Sequence, residues 1–393
     1  MSKELSNVER CKKYMKKQEL INNIIFKFDM NEITDEVGIV EYIENDDEYR
    51  VIEIPSFVTS CNCYGGWEDE NCGYAFMEVE QSLKVINHSQ IKDMSNFFYE
   101  FMGKKLDLSE FDTSKVECMD NMFDRCENVI ELDLSNFDTS NVECMNFMFY
   151  TCKNLKKLNV SSFNTSKVVS FHKMFFGCSM LKNLELGKFD MSSAVIITGM
   201  FEGCKYLKSL DMSGLNTNKI VSMNKLFKQC IRLESINLDD FNTDSVKDMS
   251  EMFSGCNRLK SLNTSSFNTI NVKTMKDMFS ECFDLKELDL YFKTSSELKE
   301  LSRMFFGCYN LKRVNFYGFD TYSVLSMMSM FQECEELEEV NVDIGYLDIT
   351  KASMEFMLDS CYKLKNGIKY KDTIGVGVMR HDSSGKMSYI LDR

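Results

Sequence analysis

Apolar positions recur along this chain at a fixed interval. A phenylalanine stands at nine positions 26 residues apart, and each is followed three residues later by a cysteine. The nine cysteines, called the cysteine column below, are Cys126, Cys152, Cys178, Cys204, Cys230, Cys256, Cys282, Cys308 and Cys334. Self-similarity at one constant period, without insertions, indicates a structural repeat whose units bury apolar surface against each other.

One unit, CENVIELDLSNFDTSNVECMNFMFYTC (126–152), contains two apolar patterns. Leu132 and Leu134 alternate with polar residues, which predicts a short strand. The segment DTS (138–140) then offers side chains typical of a helix N-terminal cap. Steps of three and four residues follow, which predict a short helix with one buried face, at Val142, Met145, Met148, Phe149 and Cys152. Each unit is therefore predicted to be strand, turn, cap and helix.

Stacking such units predicts an α/β repeat solenoid of leucine-rich-repeat-like architecture. A ribbon of parallel strands should form one face and short helices the other. The solenoid is expected over 91–361, between an N-terminal capping region (1–90) and a C-terminal cap hairpin (362–393) with its turn at 382–385. The capping region begins with a lysine-rich amphipathic segment (1–30), interpreted as a capping helix, with a membrane-surface helix as the alternative. Irregular strands should follow it.

The repeat L-x-x-L-x-L-x-x-F-(D/N)-T-S-x-V-x-x-M-x-x-M-F-x-x-C resembles a known family. It is similar to the BspA-like leucine-rich repeat surface proteins, as seen in 155–178 and 235–256, and the resemblance covers about 91–361. Upstream, VIEIPSFVTSC (51–61) is similar to a segment of a related repeat class in that family. The resemblance implies a leucine-rich-repeat-like solenoid with a non-catalytic binding role. It also implies that a surface location is possible, because members are often exported and implicated in adhesion.

Charge and cysteine content narrow the functional classes. The chain carries 46 Lys plus Arg against 61 Asp plus Glu, a net charge of −15, which argues against nucleic-acid partners and anionic membranes. No apolar run is long enough to span a bilayer, and the N-terminus does not read as a secretory signal. Sequence alone therefore predicts no membrane insertion, a cytoplasmic location by default, and reduced thiols among the 16 cysteines.

The sequence offers little catalytic chemistry. It contains no phosphate-binding glycine loop, no paired-histidine zinc motif and no serine nucleophile elbow. We therefore expect no enzyme activity, no cofactor and no metal. The cysteine column can be interpreted as buried filler, or as thiols close enough to form disulfides or bind a thiophilic metal. Cys61, Cys63 and Cys72, with His88 nearby, are interpreted as loose cysteines of the cap, with a structural zinc site as the alternative.

The best candidate surface follows from strand geometry, since the residue between the two inward apolar positions of each L-x-L segment points outward. That position always holds an acid or an amide, in a set called the strand-face column: Asp107, Asp133, Asn159, Glu185, Asp211, Asn237, Asn263, Asp289, Asn315 and Asn341. These side chains are candidates for binding a partner protein. Alternatively, they bond laterally to one another and to nearby backbone.

The prediction for function is a non-enzymatic protein-binding scaffold that acts through the strand face, with an unknown protein partner. A structural or surface adhesion component of a larger assembly is the first alternative. A thiol-based redox or metal-binding module is the second.

Overall fold

A computed structural model of the chain describes residues 41–45, 49–54, 83–87, 90–293, 297–346, 352–364, 367–371, 376–381 and 387–392. The chain divides into two units, Met1–Ser193 and Ala194–Arg393. The predicted helix at 1–30 and the hairpin turn at 382–385 lie outside the described residues.

Unit 1 contains short strands, most of them parallel. They are β1 (Glu41–Asn45), β2 (Tyr49–Ile54), β3 (Leu83–Asn87), β4 (Leu106–Asp107), β5 (Glu131–Asp133) and β6 (Lys157–Asn159). Strands β1 and β2 pair antiparallel, and β3 is parallel to both β2 and β4. Strands β5 and β6 pair in parallel, so that Leu132 faces Leu158 one repeat later. The predicted parallel pairing of the L-x-L segments is confirmed here.

Unit 2 continues the same strand type and ends in a larger sheet. Its strands are β7 (Ser209–Asp211), β8 (Ser235–Asn237), β9 (Glu287–Tyr291), β10 (Arg313–Asp320), β11 (Glu339–Tyr346), β12 (Ile368–Lys371), β13 (Val376–His381) and β14 (Met387–Asp392). Strands β7 and β8 pair in parallel, as do β9 to β12 in order. Strands β13 and β14 are added antiparallel. A bulge at Gly318 shifts the β10–β11 register.

The repeat phenylalanines form the centre of each unit. In unit 1, Phe98, Phe123, Phe149 and Phe175 are stacked with ring centroids 5.3, 5.5 and 5.4 Å apart. In unit 2 the same stacking runs from Phe201 to Phe331, with spacings between 5.2 and 5.5 Å. These rings are at most 1% exposed. Each coil therefore covers the aromatic flank of the next, as the constant period predicts.

The predicted short helices are wrong. Throughout the described ranges no residue is helical, and the M-x-x-M-F-x-x-C segments are runs of turns. Two residues of each such turn segment, four apart, have left-handed backbone, as at Asn121 (φ 55°) and Arg125 (φ 57°). A right-handed helix cannot contain such residues. The consecutive turns, with a left-handed residue at every fourth position, nonetheless direct Met119, Met122 and Phe123 inward. The buried residues of these turns therefore have the same sequence spacing as the apolar face of a helix.

Hydrogen bonds of the turn segments run between coils. The amides of Met119, Asn121, Phe123 and Arg125 donate to carbonyls of the next coil 25 residues later, at 2.8–2.9 Å. The intervening amides close four-residue β-turns within the segment, as from Cys126 N to Phe123 O at 3.2 Å. Unit 2 repeats the pattern, for example from Phe253 N to Met278 O at 2.9 Å. The backbone groups that would pair along a helix are thus satisfied across the stack.

The DTS segment consequently caps no helix. The Asp138 carboxylate accepts from the amide of Ser140 at 3.0 Å, which closes a local turn. Thr139 is 1% exposed and donates through its hydroxyl to the carbonyl of Asn164, one coil later, at 2.9 Å. The same threonine bond recurs in unit 2, from Thr243 to Asn268 O. The segment therefore joins successive coils.

Candidate protein-binding face

The strand-face column lies on the outside of both units, as strand geometry predicts. Seven of its members are exposed, and Asp107, Asn315 and Asn341 are half-buried. Unit 1 carries Asp107, Asp133, Asn159 and Glu185, and unit 2 carries the other six. Glu185 and Asn263 stand in L-x-L segments that form no strand. The outward direction of the column therefore does not depend on full strand geometry.

Most column side chains bond to their own chain two residues later. The carboxylate of Asp133 accepts from the amide of Ser135 at 3.0 Å, and the Asn237 side chain accepts from Asp239 N at 3.1 Å. Equivalent bonds are made by Asp107, Asn159, Asp211 and Asn263. The bond from the Ser213 amide lowers the pKa of Asp211, because it stabilises the carboxylate. One acceptor lone pair is thus used at each such position, on a carboxylate oxygen of the aspartates and on the single amide oxygen of the asparagines.

The last members of the column bond to each other. The Asn315 amide donates to the Asp289 carboxylate at 2.6 Å, and the Asn341 amide donates to Asn315 Oδ1 at 2.9 Å. The three residues are in register on β9, β10 and β11. Both kinds of bond correspond to the lateral and backbone bonding that the sequence left open as an alternative. They also hold the side chains in fixed positions on the face.

A tyrosine pair that was not predicted from the sequence extends this ladder. Tyr291 and Tyr317 lie two residues beyond Asp289 and Asn315, so their side chains share the outward face. Their rings stack with centroids 4.9 Å apart, although the side chains are 42% and 38% exposed. An aromatic at the same outward position of two successive repeats was the available signal.

Charges beside the column are largely paired. In unit 1, Lys157 and Glu131 lie 2.6 Å apart on neighbouring strands. In unit 2, Arg313 lies 2.9 Å from Glu339 and 3.9 Å from Glu287. These exposed pairs contribute little to stability. They do leave the amides, the carboxylates of the column and the tyrosine pair as the distinctive groups of the face.

The cysteine column is interior. Its nine thiols are buried, and most of them donate S–H bonds to phenylalanine carbonyls of the preceding coil, for example from Cys256 to Phe227 O at 3.1 Å and from Cys308 to Phe279 O at 3.0 Å. Burial raises the pKa of the Cys308 thiol to about 12. Such thiols are poor nucleophiles. The hydrogen bond to the carbonyl explains why this position holds cysteine, whereas filling apolar space would not require an S–H donor. Cys61, Cys63, Cys72 and His88 lie outside the described residues.

Stacked 26-residue coils with parallel strands, a buried phenylalanine and cysteine ladder, and an exposed polar strand face define a repeat solenoid of the leucine-rich-repeat type. The chain matches the family described as "Mycoplasma protein of unknown function, DUF285" over residues 70–189, 197–312 and 290–386, and it belongs to that family. The resemblance to BspA-like proteins remains a prediction. No curated protein matches the chain.

Several solved structures are similar to the chain at low identity. They include a Treponema pallidum leucine-rich repeat protein (18% identity, 53% of this chain and 77% of that one, TM-score 0.32). A leucine-rich cell surface protein of Faecalibacterium prausnitzii A2-165 has 14% identity over 84% of this chain and 93% of that one, with a TM-score of 0.25. The pneumococcal vaccine antigen PcpA has 12% identity over 86% and 92%, with a TM-score of 0.30. In the part of the chain that the structure covers, no helix could cross a bilayer.

Proposed function

We propose that this chain is a non-enzymatic scaffold that binds a partner protein through its strand face. The observation that carries the proposal is the outward-facing patch of unit 2 in which the Asp289–Asn315–Asn341 ladder adjoins the tyrosine pair. The ladder offers hydrogen-bond groups that are already ordered. The tyrosines offer apolar area that loses little side-chain entropy on binding.

The chemistry of the patch fits a protein partner. Tyrosines dominate the energetics of protein interfaces when they are surrounded by groups that exclude water. The carboxylate of Asp289 and the amide oxygens favour a partner surface that presents backbone N–H groups, lysine or arginine. The rim of the patch carries little net charge, because Arg313 offsets one of the two carboxylates beside it, those of Glu287 and Glu339. We therefore expect a partner with a mixed polar and apolar epitope, rather than one attracted by charge alone.

The test compares two double variants in affinity purification from the native source. Tyr291→Ser with Tyr317→Ser removes the tyrosine pair. Tyr309→Ser with Tyr362→Ser is the matched control, because these tyrosines are 39% and 72% exposed and lie outside the strand face. Exposed substitutions of this kind change stability little, which thermal unfolding of all three proteins checks.

We expect the wild type and the control to retain the same specific protein, and the Tyr291/Tyr317 variant to lose it. Direct titration of the captured protein should show binding weakened by about 30-fold, the equivalent of one aromatic hot spot. Retention equal to the control would refute the strand face as the binding surface. A wild type that captures no protein beyond a denatured control would refute the scaffold function itself.

A further inference from the structure

Two cysteines outside the cysteine column occupy one position of consecutive coils in unit 1. Cys118 and Cys144 are joined by a parallel bridge, in a series that also includes Asp93 and Ser170. Bridged residues of parallel strands direct their side chains to the same side, one strand spacing apart. Both thiols are half-buried, in contrast to the buried thiols of the column. They are therefore within reach of a small solute.

An acid completes a set of three ligands. Atoms of Cys118, Asp120 and Cys144 that can bind a metal all lie within 4.8 Å of one another. Tetrahedral zinc, with Zn–S bonds of about 2.3 Å, separates two sulfur ligands by roughly 3.8 Å. The set thus needs to contract by only about 1 Å or less to enclose such an ion. Thiolate ligands favour zinc and other thiophilic ions over magnesium or calcium.

Neighbouring groups already position the ligands. The Asp120 carboxylate accepts from the amide of Asn146 at 2.6 Å, and the Asn146 side-chain amide lies 3.4 Å from its other oxygen. The Ser95 hydroxyl lies 3.2 Å from Cys118 Sγ and donates to Asp93 at 2.6 Å. Metal sites in proteins generally have such hydrogen bonds behind their ligands, which fix ligand orientation.

We propose that Cys118, Asp120 and Cys144 form a binding site for one thiophilic divalent cation, with zinc as the expected ion and water as its fourth ligand. Two thiolates and one carboxylate more than balance the charge of the ion. Since the ligands come from two successive coils, the ion would cross-link residues 26 positions apart in the sequence. The site would then stabilise the stack in unit 1, separately from the strand face.

The substitution that tests the site is Cys118→Ser with Cys144→Ser. Serine occupies the same bridged position in other coils, at Ser170, Ser222, Ser326 and Ser353, so the variant is expected to fold. The matched control is Cys361→Ser, which removes another half-buried thiol that donates to Phe331 O at 3.0 Å. Cys61, Cys63 and Cys72 remain in every variant, so any metal that they bind is common to all.

The measurement uses the full chain with its thiols reduced. Co²⁺ is titrated as a spectroscopic probe, because bound thiolates produce an intense charge-transfer absorption, and bound Zn²⁺ is then quantified after dialysis. We expect the wild type and the Cys361→Ser control to bind one ion per chain more than the double serine variant. Asp120→Asn should bind that ion at least about tenfold more weakly, with both thiolates still present.

Thermal unfolding supplies a second readout, since an ion that binds only the folded chain raises its midpoint. Zn²⁺ should raise the midpoint of the wild type and of the control by the same amount, and that of the double variant by less. Equal stoichiometry and equal midpoint shifts in the double variant and the wild type would overturn the proposal. So would a wild type that binds no thiophilic ion.

Discussion

The Asp124 carboxylate provides a quantitative test of the packing described for unit 1. Asp124 is 7% exposed, and within the described residues its Oδ1 atom has no hydrogen-bond partner. The nearest cation is Arg125, whose Nε lies 3.9 Å away, but its guanidinium also bonds to Glu100 at 2.8 Å and lies over the Tyr99 ring. Burial dominates, and it raises the pKa of Asp124 from 3.8 to about 7.

This rise in pKa means that the folded chain holds the proton more tightly than the unfolded chain. A rise from 3.8 to about 7 corresponds to about 4 kcal/mol of destabilisation when the carboxylate is fully ionised. The penalty is absent below the unfolded pKa, grows as the pH rises from about 4 to 7, and is constant above that. Asn at position 124 cannot ionise, so Asp124→Asn should remove this loss of stability.

The assay is urea unfolding of the wild type and Asp124→Asn between pH 5.5 and 8, above the sequence pI of about 4.9. Over that range the stability of the variant relative to the wild type should increase by about 2 kcal/mol. Any cost of placing an amide at this site is independent of pH, so it does not affect the slope.

Asp138→Asn is the matched control, because Asp138 is exposed and the Ser140 hydroxyl and amide lower the pKa of its carboxyl. Asp138 is ionised in both states throughout the pH range, so that variant should be less stable than the wild type by an amount that does not change with pH. If the difference for Asp124→Asn is equally flat, Asp124 is solvated or paired, and the packing around it is not as described.

Three further predictions concern the strand backbone and the buried side chains. Gly318→Ala should destabilise the chain more than Gly214→Ala. Both glycines have left-handed backbone (φ +66° and +70°), but only at Gly318 would an added Cβ lie close to another atom, 2.6 Å from the Phe292 carbonyl oxygen. Equal urea midpoints for the two variants would contradict this prediction. Phe253→Ala should cost about 3–5 kcal/mol by the same measurement, whereas the 59% exposed Phe356→Ala should cost little, and similar losses would refute the stacked ladder. The cysteine column should resist a thiol reagent at pH 7 until the chain is unfolded, as mass spectrometry of labelled peptides can show, and labelling of the column in the native chain would contradict its burial.

The sequence predicted those features that depend on one repeated contact. When 26-residue coils stack, each repeat phenylalanine and cysteine lies next to the equivalent residue of the adjacent coil, so their burial follows from the period alone. The same reasoning placed the L-x-L strands in parallel register and the strand-face column on the outside. The sequence left lateral bonding within the column open as an alternative, but it did not indicate which members pair, as Asn315 does with Asp289, because that depends on strand pairing in the folded chain.

The turn segments show where sequence patterns are ambiguous. Apolar residues at steps of three and four are typical of a helix, but turns with a left-handed residue at every fourth position produce the same inward face. Glycine would have indicated those turns, and it does so at Gly199 and Gly203. In other coils the left-handed positions hold residues such as Phe147 and Thr151, which give no such signal. The stacking of coils overrides the helical preference of these segments, because their amides donate hydrogen bonds to the neighbouring coil instead of within a helix.

The direction of these bonds gives the repeat a polarity. Along each turn segment the amides point toward the following coil and the carbonyls that receive them face back, as from Phe123 to Met148 in unit 1 and from Phe253 to Met278 in unit 2. A coil inserted upside down would set donors against donors. Growth of such a chain by duplication must therefore add whole coils in the same sense, and two molecules could prolong this ladder only head to tail.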